Sequence, residues 1–519
     1  MKKSISRSAF LFLCVLVLTL KLNAQPTFQK ALGGPETEFA YSIKPTFDSG
    51  YVMLGSSMSF MGGYYDIMLI KLDQNCNVQW TRMYGDGAQP GNNIGYEVIQ
   101  TTDSGFVIAA HANPPGDGMI IRTDQQGNVI WTRTTAESGM EALHSVLQTQ
   151  DGQIVAVGKA QHGLNNDDLL LVKMDTGGNM IWKKSYGGTG YDVGYRVIEL
   201  PNTDLVMTGY TSTYGAGWMD VCVIRTDSAG TVIWSKTFGT TEDEEGHDIE
   251  HTSDGGFIIS GQLYSSIGMQ IYLVKIDSAG TLQWSKTYGG GAGDHGHDVI
   301  ESPNGGYVVA CSTFTYPRGA MLLRVDNGGN HIWTNTYGDP AGLSDFRALL
   351  PVGESGYLVA GMTYVYPSDV HMYLVKTDTT GYSGCLQQPF FPPATNPPTQ
   401  TGNGGTFSAT SSWNTFAVTD TIITPQVLTF CIAAGISETQ EESAVHLFPN
   451  PVTDHQFIVS GGPGDAVLTV FNAFGQVVHA QTIAAYPATV NLPSTLPPGM
   501  YVVEISGGEE IVRDRVVIE

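Results

Sequence analysis

Histidines and acids set close together are the residues of this chain best suited to chemistry. His247-Asp248-Ile249-Glu250-His251 fits the H-x-x-E-H pattern of zinc peptidases, where a helix brings both imidazoles to one metal. Its neighbours are strand-forming, and on a strand histidines four apart stand about 13 Å apart, so the pattern holds no zinc. Better placed is His295-Gly296-His297, whose alternate residues share one strand face, with His247 in the equivalent position one repeat earlier. Imidazoles meeting there could hold a transition metal. Solvated loop histidines are the plainer explanation. The acidic run 241–248, "TEDEEGHD", could hold calcium through carboxylate oxygens, or simply face water. No motif demands a cofactor: nucleophile elbows, phosphate-binding glycine loops and Cys-x-x-Cys pairs are absent. With 49 acids, spacing alone singles out no catalytic carboxylate pair, so the catalytic residues are unknown.

The elements that must position these residues are set by a repeat. Trp80, Trp131, Trp182, Trp234, Trp284 and Trp333 recur every 49 to 52 residues. Seven residues before each stands Asp73, Asp124, Asp175, Asp227, Asp277 or Asp326, and two residues before that a base, Lys71, Arg122, Lys173, Arg225, Lys275 or Arg324. A further copy, Lys376 and Asp378, ends without its tryptophan at Cys385. A period near 50 suits a propeller blade. Each unit carries four short β-branched and aromatic runs between Gly, Asp, Asn and Ser clusters, which are strand and hairpin signals. In the recurrent Asp-x-x-Gly turn glycine supplies a positive φ, and Cys76 is the one departure. No sustained apolar period of 3.6 appears, so the chain is expected to be all-β. Both the repeated base-x-Asp and the repeated tryptophans are expected to serve packing.

Seven first-to-third-strand sets begin near Tyr41, Gly95, Ala142, Gly194, Gly246, Gly296 and Asp345. The last lacks a tryptophan strand, and an orphan one, "PTFQKALGG" around Phe28, precedes the first. The simplest closure places Phe28 in the last blade as its outer strand, removing an exposed edge. Residues 25–385 are thus expected to form a seven-bladed β-propeller.

The net charge of −24 disfavours nucleic acid and anionic membrane surfaces as partners. Residues 1–24 read as an export signal: Lys2, Lys3 and Arg7, then "AFLFLCVLVLTL", then Leu22-Asn23-Ala24 before Gln25. That core is too short to span a bilayer, and no later run approaches 18 apolar residues, so no transmembrane segment is expected once the signal is removed. Residues 386–443 are Pro-, Thr-, Ser- and Gly-rich, a linker by composition, although 406–431 could add two or three strands. Cys385 and Cys431 flank it, and a disulfide between them would pin it to the last blade, adding about 3–4 kcal/mol. Cys76, Cys222 and Cys311, in or beside strands, are expected to be buried free thiols.

Residues that depart from the repeat are the functional candidates. The loops between second and third strands are aromatic, with Tyr214, Trp218, Tyr264, Tyr316 and Tyr366 the foremost candidates. They share the channel face with acidic, Gly-rich inter-blade loops. Aromatic faces stack on sugar rings and carboxylates accept hydroxyl hydrogen bonds, which suits an extracellular glycan. The alternative is that these aromatics merely cap the blade ends.

From residue 444 the chain changes character: alternating strands with turns at 472–475 and 497–499 suggest a small β-sandwich. Phe448-Pro449-Asn450-Pro451, Gly475, Leu496 with Gly499-Met500-Tyr501, and a strand at the very C-terminus carry a resemblance to the type A sorting domain of the type IX secretion system of Bacteroidota. The tail has only Arg513 and Arg515 where that family is commonly richer in lysine. The resemblance implies that residues 444–519 engage the type IX machinery and that the chain crosses the outer membrane, to be released or held at the cell surface. The propeller resembles, at the level of fold, uncharacterised repeats of such cargo and quinoprotein-type blades, which does not fix function. The chain is therefore expected to be an exported, non-catalytic binding protein for a glycan or protein ligand. A polysaccharide lyase or glycosidase on the same ring, and a structural part of the envelope or of a gliding-associated assembly, are the alternatives.

Overall fold

The computed structural model describes residues 27–384 apart from short loop segments such as 86–90, 162–165 and 366–368, the strand-forming parts of 386–433, and most of 446–518. The export signal expected at 1–24, together with Tyr316, Tyr366 and Cys385, lies outside the described residues.

The described residues form strands and turns, with no helix among them. Seven antiparallel sheets of four or five strands follow one another along 27–433 in a propeller-like arrangement. In the first, Glu38–Pro45 lies innermost, followed by Tyr51–Ser57, Asp66–Leu72 and Val78–Gly85. The pattern repeats over 92–135, 141–186, 192–239, 243–288 and 294–337. Hydrophobic clusters lie between every pair of consecutive sheets, and one joins the last sheet to the first through Phe28, Leu32, Met53, Met68, Leu358 and Met372. Because both faces of each sheet are covered, central strands such as Asp66–Leu72 are buried at every residue, whereas outer ones such as Val232–Gly239 alternate. That explains why central strands read as unbroken apolar runs.

The repeated residues sew neighbouring sheets together at the rim. Each turn glycine has φ between +72° and +79°, and the indole one sheet earlier lies on it: Trp80 on Gly127, Trp131 on Gly178, Trp182 on Gly230, Trp234 on Gly280, Trp284 on Gly329 and Trp333 on Gly381. A side chain there would strike the indole and strain the turn. Tyr84 and Tyr186 donate to the carbonyls of Gly127 and Gly230 at 2.8 and 2.7 Å. The turn aspartate accepts two backbone N–H groups, as Asp124 does from Gln126 and Asn128. The repeated base points elsewhere, in most sheets to an aspartate in the first hairpin of its own sheet: Lys71 to Asp48 at 2.8 Å, Lys173 to Asp151 at 2.9 Å, Lys275 to Asp254 at 2.9 Å, whereas Arg324 donates to the Tyr307 carbonyl at 3.2 Å. Base and turn aspartate thus hold two different turns of one sheet.

Closure follows the same register. Thr27–Gly33 pairs with Asp369–Thr377, and Phe28 faces Lys376 as Trp80 faces Lys71. Lys30 lies over the Phe28 ring and donates to the carbonyl of Cys76 at 3.2 Å, where other sheets have their turn glycine. Cys76 adopts φ +59°, the left-handed region glycine ordinarily fills. With Cys222 and Cys311 it is a buried free thiol.

One expectation needs correction. Phe28's strand is not outermost, because Gln426–Ala433 pairs along its far side. The segment 386–433, a linker by composition with room for two or three strands, carries six short ones among its described residues. Among the described residues its strands add a fifth strand to six of the seven sheets, in reverse order and without the third: Gln387–Pro389 to the sixth, Ala394–Thr395 to the fifth, Gln400–Gly402 to the fourth, Trp413–Asn414 to the second, Thr419–Ile423 to the first, Gln426–Ala433 to the seventh. The segment runs back around the rim as a belt over otherwise open edges. Within it Cys431 is the backbone partner of Gln29. Beyond it, a three-stranded and a four-stranded sheet share a core of Phe457, Val459, Leu468, Val470, Val490, Tyr501 and Val503.

Candidate functional site

The seven innermost strands surround an axial cavity of ~110 Å³. Each carries a β-bulge at one position, after Ala40, Gly95, Leu143, Gly194, Gly246, Gly296 and Phe346. Consecutive side chains of a regular strand point to opposite faces, but a bulge turns the extra residue and its successor the same way. Tyr96 with Glu97, Tyr195 with Arg196, His247 with Asp248 and His297 with Asp298 all line the cavity.

The bulge residues form one continuous girdle. Ring centroids are 5.8 Å apart for Tyr41–Tyr96, 4.9 Å for Tyr96–His144, 5.1 Å for His144–Tyr195, 5.4 Å for Tyr195–His247 and 5.7 Å for His247–His297. Arg347 completes the circuit over Tyr41 at 5.8 Å and holds Asp345 at 2.5 Å. His144 and His247 each have Nδ1 at 2.8 Å from a carbonyl of the following sheet, Gly194 and Gly296. Burial lowers the pKa of His144 and of His297 to about 4. Burial alone would raise Asp345, but His297 and Arg347 overturn it and hold the carboxylate below its ordinary range.

Beneath the girdle lies a charged layer that is internally matched. Lys44 reaches Glu97 at 2.9 Å, and Arg196 bridges Glu97 and Asp248, the latter at 3.0 Å. Burial favours the neutral form of Glu97, yet Arg196 and Lys44 prevail and lower its pKa to about 2. Burial and the neighbouring Asp248 push Asp298 the other way, well above the carboxylate range. These acids also stitch sheets together: Glu97 accepts from the Val146 N–H, Asp248 from Val299 and Asp298 from Leu349, at 3.0, 3.0 and 2.7 Å.

His247, His295 and His297 stand in a stacked row, with His295–His297 at 5.9 Å and planes within 10°. Their nitrogen lone pairs lie in the ring planes and do not converge on a point between the rings. Among the described residues no group of three His, Cys, Asp or Glu is placed to hold a metal. The acids of 241–248 likewise diverge. Asp243 accepts from the Met219 N–H, Glu244 from Thr240, Glu245 contacts His247, and Asp248 faces Arg196. Strand geometry sends alternate carboxylates to opposite sides.

The aromatic candidates separate by environment. Trp218 is 69% exposed and Tyr264 53%. Tyr214 is half-buried, donates to the Gly187 carbonyl at 3.3 Å and lines a ~10 Å³ void with Asp192 and Cys222. Trp218 and Tyr264 come from consecutive sheets and are joined through Asp243. Met219 donates to that carboxylate at 3.2 Å, the Glu244 N–H donates back to the Met219 carbonyl at 2.8 Å, and Asp243 faces Tyr264 across the ladder. Of the girdle, sequence reasoning found His247 and His297 and missed Tyr41, Tyr96, His144, Tyr195 and Arg347; a glycine before the bulge residue marks four of the seven inner strands.

Comparison with solved structures gives likenesses at the level of a propeller-like fold. PorZ, a surface component of the type IX secretion system of Porphyromonas gingivalis, is 12% identical with a TM-score of 0.41, covering 90% of this chain and 58% of its own. A Dyadobacter fermentans protein of unknown function is 12% identical with a TM-score of 0.41, over 68% of this chain and 98% of its own. Penicillium chrysogenum α-L-arabinanase complexed with arabinobiose is 12% identical with a TM-score of 0.37, over 55% and 92%. The search of curated proteins gives no match. Residues 446–519 match the family described as "Secretion system C-terminal sorting domain". This chain therefore carries a type IX sorting domain and is exported as cargo of that system, across the outer membrane to the cell surface or beyond.

Proposed function

We propose that the exported chain is a seven-bladed β-propeller that binds an extracellular glycan on its loop face, delivered by a C-terminal β-sandwich. The observation that carries this reading is Trp218. Its indole is 69% exposed although Met219 and Asp243 fix the backbone beside it. Tryptophan is among the side chains that most often dominate binding when a partner covers them, and here a second ring and carboxylates stand beside it. Tyr264 supplies a second ring and Asp243 with Glu242 the hydroxyl acceptors, the pairing that suits sugar rings. A glycan array probed with the secreted full-length chain tests the reading. Binding of defined glycans without their turnover supports it. Cleavage of a bound polysaccharide identifies the ring as a lyase or glycosidase, and absence of any glycan binding removes the proposal.

A further inference from the structure

The axial cavity is a second concave site, and its chemistry is distinct from that of the rim. Tyr41 and Tyr96 line it, and their hydroxyls meet no protein hydrogen-bond partner among the described residues. His144 spends Nδ1 on the Gly194 carbonyl, which leaves the Nε2 lone pair as an acceptor on the girdle. His297 Nε2 lies 3.2 Å from Asp345 Oδ1, out of line for a hydrogen bond, so both atoms are buried without a partner. Buried polar atoms that find no partner in the protein call for water or a ligand.

The charges below the girdle define what that ligand is not. Lys44, Arg196 and Arg347 each face a carboxylate, and Glu97, Asp248 and Asp345 each a cation, although Arg196 Nε, 3.0 Å from Asp248, is out of line for a hydrogen bond as His297 is with Asp345. An anion would have to displace Glu97 or Asp345 from arginine, and a cation would compete with arginine for the same oxygens. Hydroxyl groups suit the remaining atoms, since each can donate to a histidine nitrogen and accept from a phenol. The Tyr and His rings give flat walls for C–H faces. A cavity of ~110 Å³ takes several waters or one small polyol.

We infer that the axial cavity binds a small neutral polyhydroxy molecule, a free sugar or the end of a glycan chain, through the Tyr41, Tyr96 and His144 girdle. The inference uses none of the rim residues, so the two sites can fail separately.

The test uses the full-length secreted protein with glycerol, D-xylose, D-glucose and cellotetraose as probes, and inorganic phosphate, acetate and calcium as charged comparators. Binding is followed by saturation-transfer NMR and calorimetry. At least one neutral probe is expected to bind, and Tyr41→Phe and Tyr96→Phe, each removing one hydroxyl, should each weaken it roughly 3- to 10-fold. The same losses from both tyrosine substitutions are expected in a Trp218→Ala background, where any binding at the rim has been weakened. An oligosaccharide binding more tightly than its monomer, with the same sensitivity to both tyrosines, marks a chain end; equal affinity marks a free sugar. Should either variant fold poorly, the imidazole ¹⁵N signals of His144 in the unaltered protein replace it, and Nε2 should move as probe is added. The inference is overturned if no neutral probe binds up to about 100 mM, if phosphate, acetate or calcium binds better, or if binding leaves both tyrosines and the His144 signal untouched.

Discussion

The rim and the axis of this ring are made from the same seven units in opposite ways. At the rim one contact, indole on left-handed glycine, is used six times almost without change, and Phe28 with Cys76 makes the seventh. At the axis the equivalent position is Tyr, Tyr, His, Tyr, His, His and Arg in turn, although the backbone groups that bond one sheet to the next recur. Identity at the rim reflects a single packing problem solved repeatedly. Variety at the axis, and in loops such as that of Trp218, is where the molecule has room for recognition.

The largest effect that would break this contrast lies at the closure. Deleting residues 25–34 removes the fourth strand of the seventh sheet and, with it, the partner of Gln426–Ala433. Two new edges and a lost cluster around Phe28 and Leu32 should cost several kcal/mol and promote association, read by thermal melting and size-exclusion chromatography. An unchanged melting temperature would mean that the ring does not depend on this strand.

A smaller effect sharpens the contrast through pH. Burial raises the pKa of Glu244 and of Glu250 to about 7. A carboxyl whose folded pKa is raised gives stability that is full below its unfolded value near 4.5 and is lost as pH rises through 7. At the rim, hydrogen bonds and ion pairing with Lys71 and Lys275 outweigh partial burial and lower Asp48 and Asp254 to about 2, so their contribution disappears only as pH falls through that value from near 4. The melting temperature should therefore be higher at pH 5.5 than at pH 8 and fall again below pH 4. Glu244→Gln should flatten the limb between pH 5.5 and 8 while leaving the acid limb in place; a melting temperature that rises steadily to pH 8 contradicts this assignment.

What the sequence made legible follows the same division. The tryptophan, aspartate and glycine spacing announced the sheets because it answers a local need, a turn with positive φ under an indole. Phe28 could be placed because it fits that register. The belt could not be read: Ala394–Thr395 and Trp413–Asn414 are two-residue pairings, too short to show alternation. The girdle was hidden because a bulge breaks the period of two, so Tyr96 and Glu97 face the same channel where strand logic sends them apart. His247, His295 and His297 stood out as a possible metal set, but only three dimensions reveal that their rings stack.

The most direct test of the central claim, that departures from the repeat and not the repeat itself carry recognition, is a paired substitution of two tryptophans in one sheet. Trp234 packs on the Gly280 turn, whereas Trp218 is open to solvent. Trp234→Ala should cost about 2–3 kcal/mol, less than a fully buried indole, while the folded fraction binds glycan normally. Trp218→Ala should change stability by less than about 0.5 kcal/mol yet weaken glycan binding at least about tenfold. Stability and binding measured on both variants decide the matter. Binding lost with Trp234→Ala and kept with Trp218→Ala, or a Trp218→Ala chain that unfolds, would contradict the account.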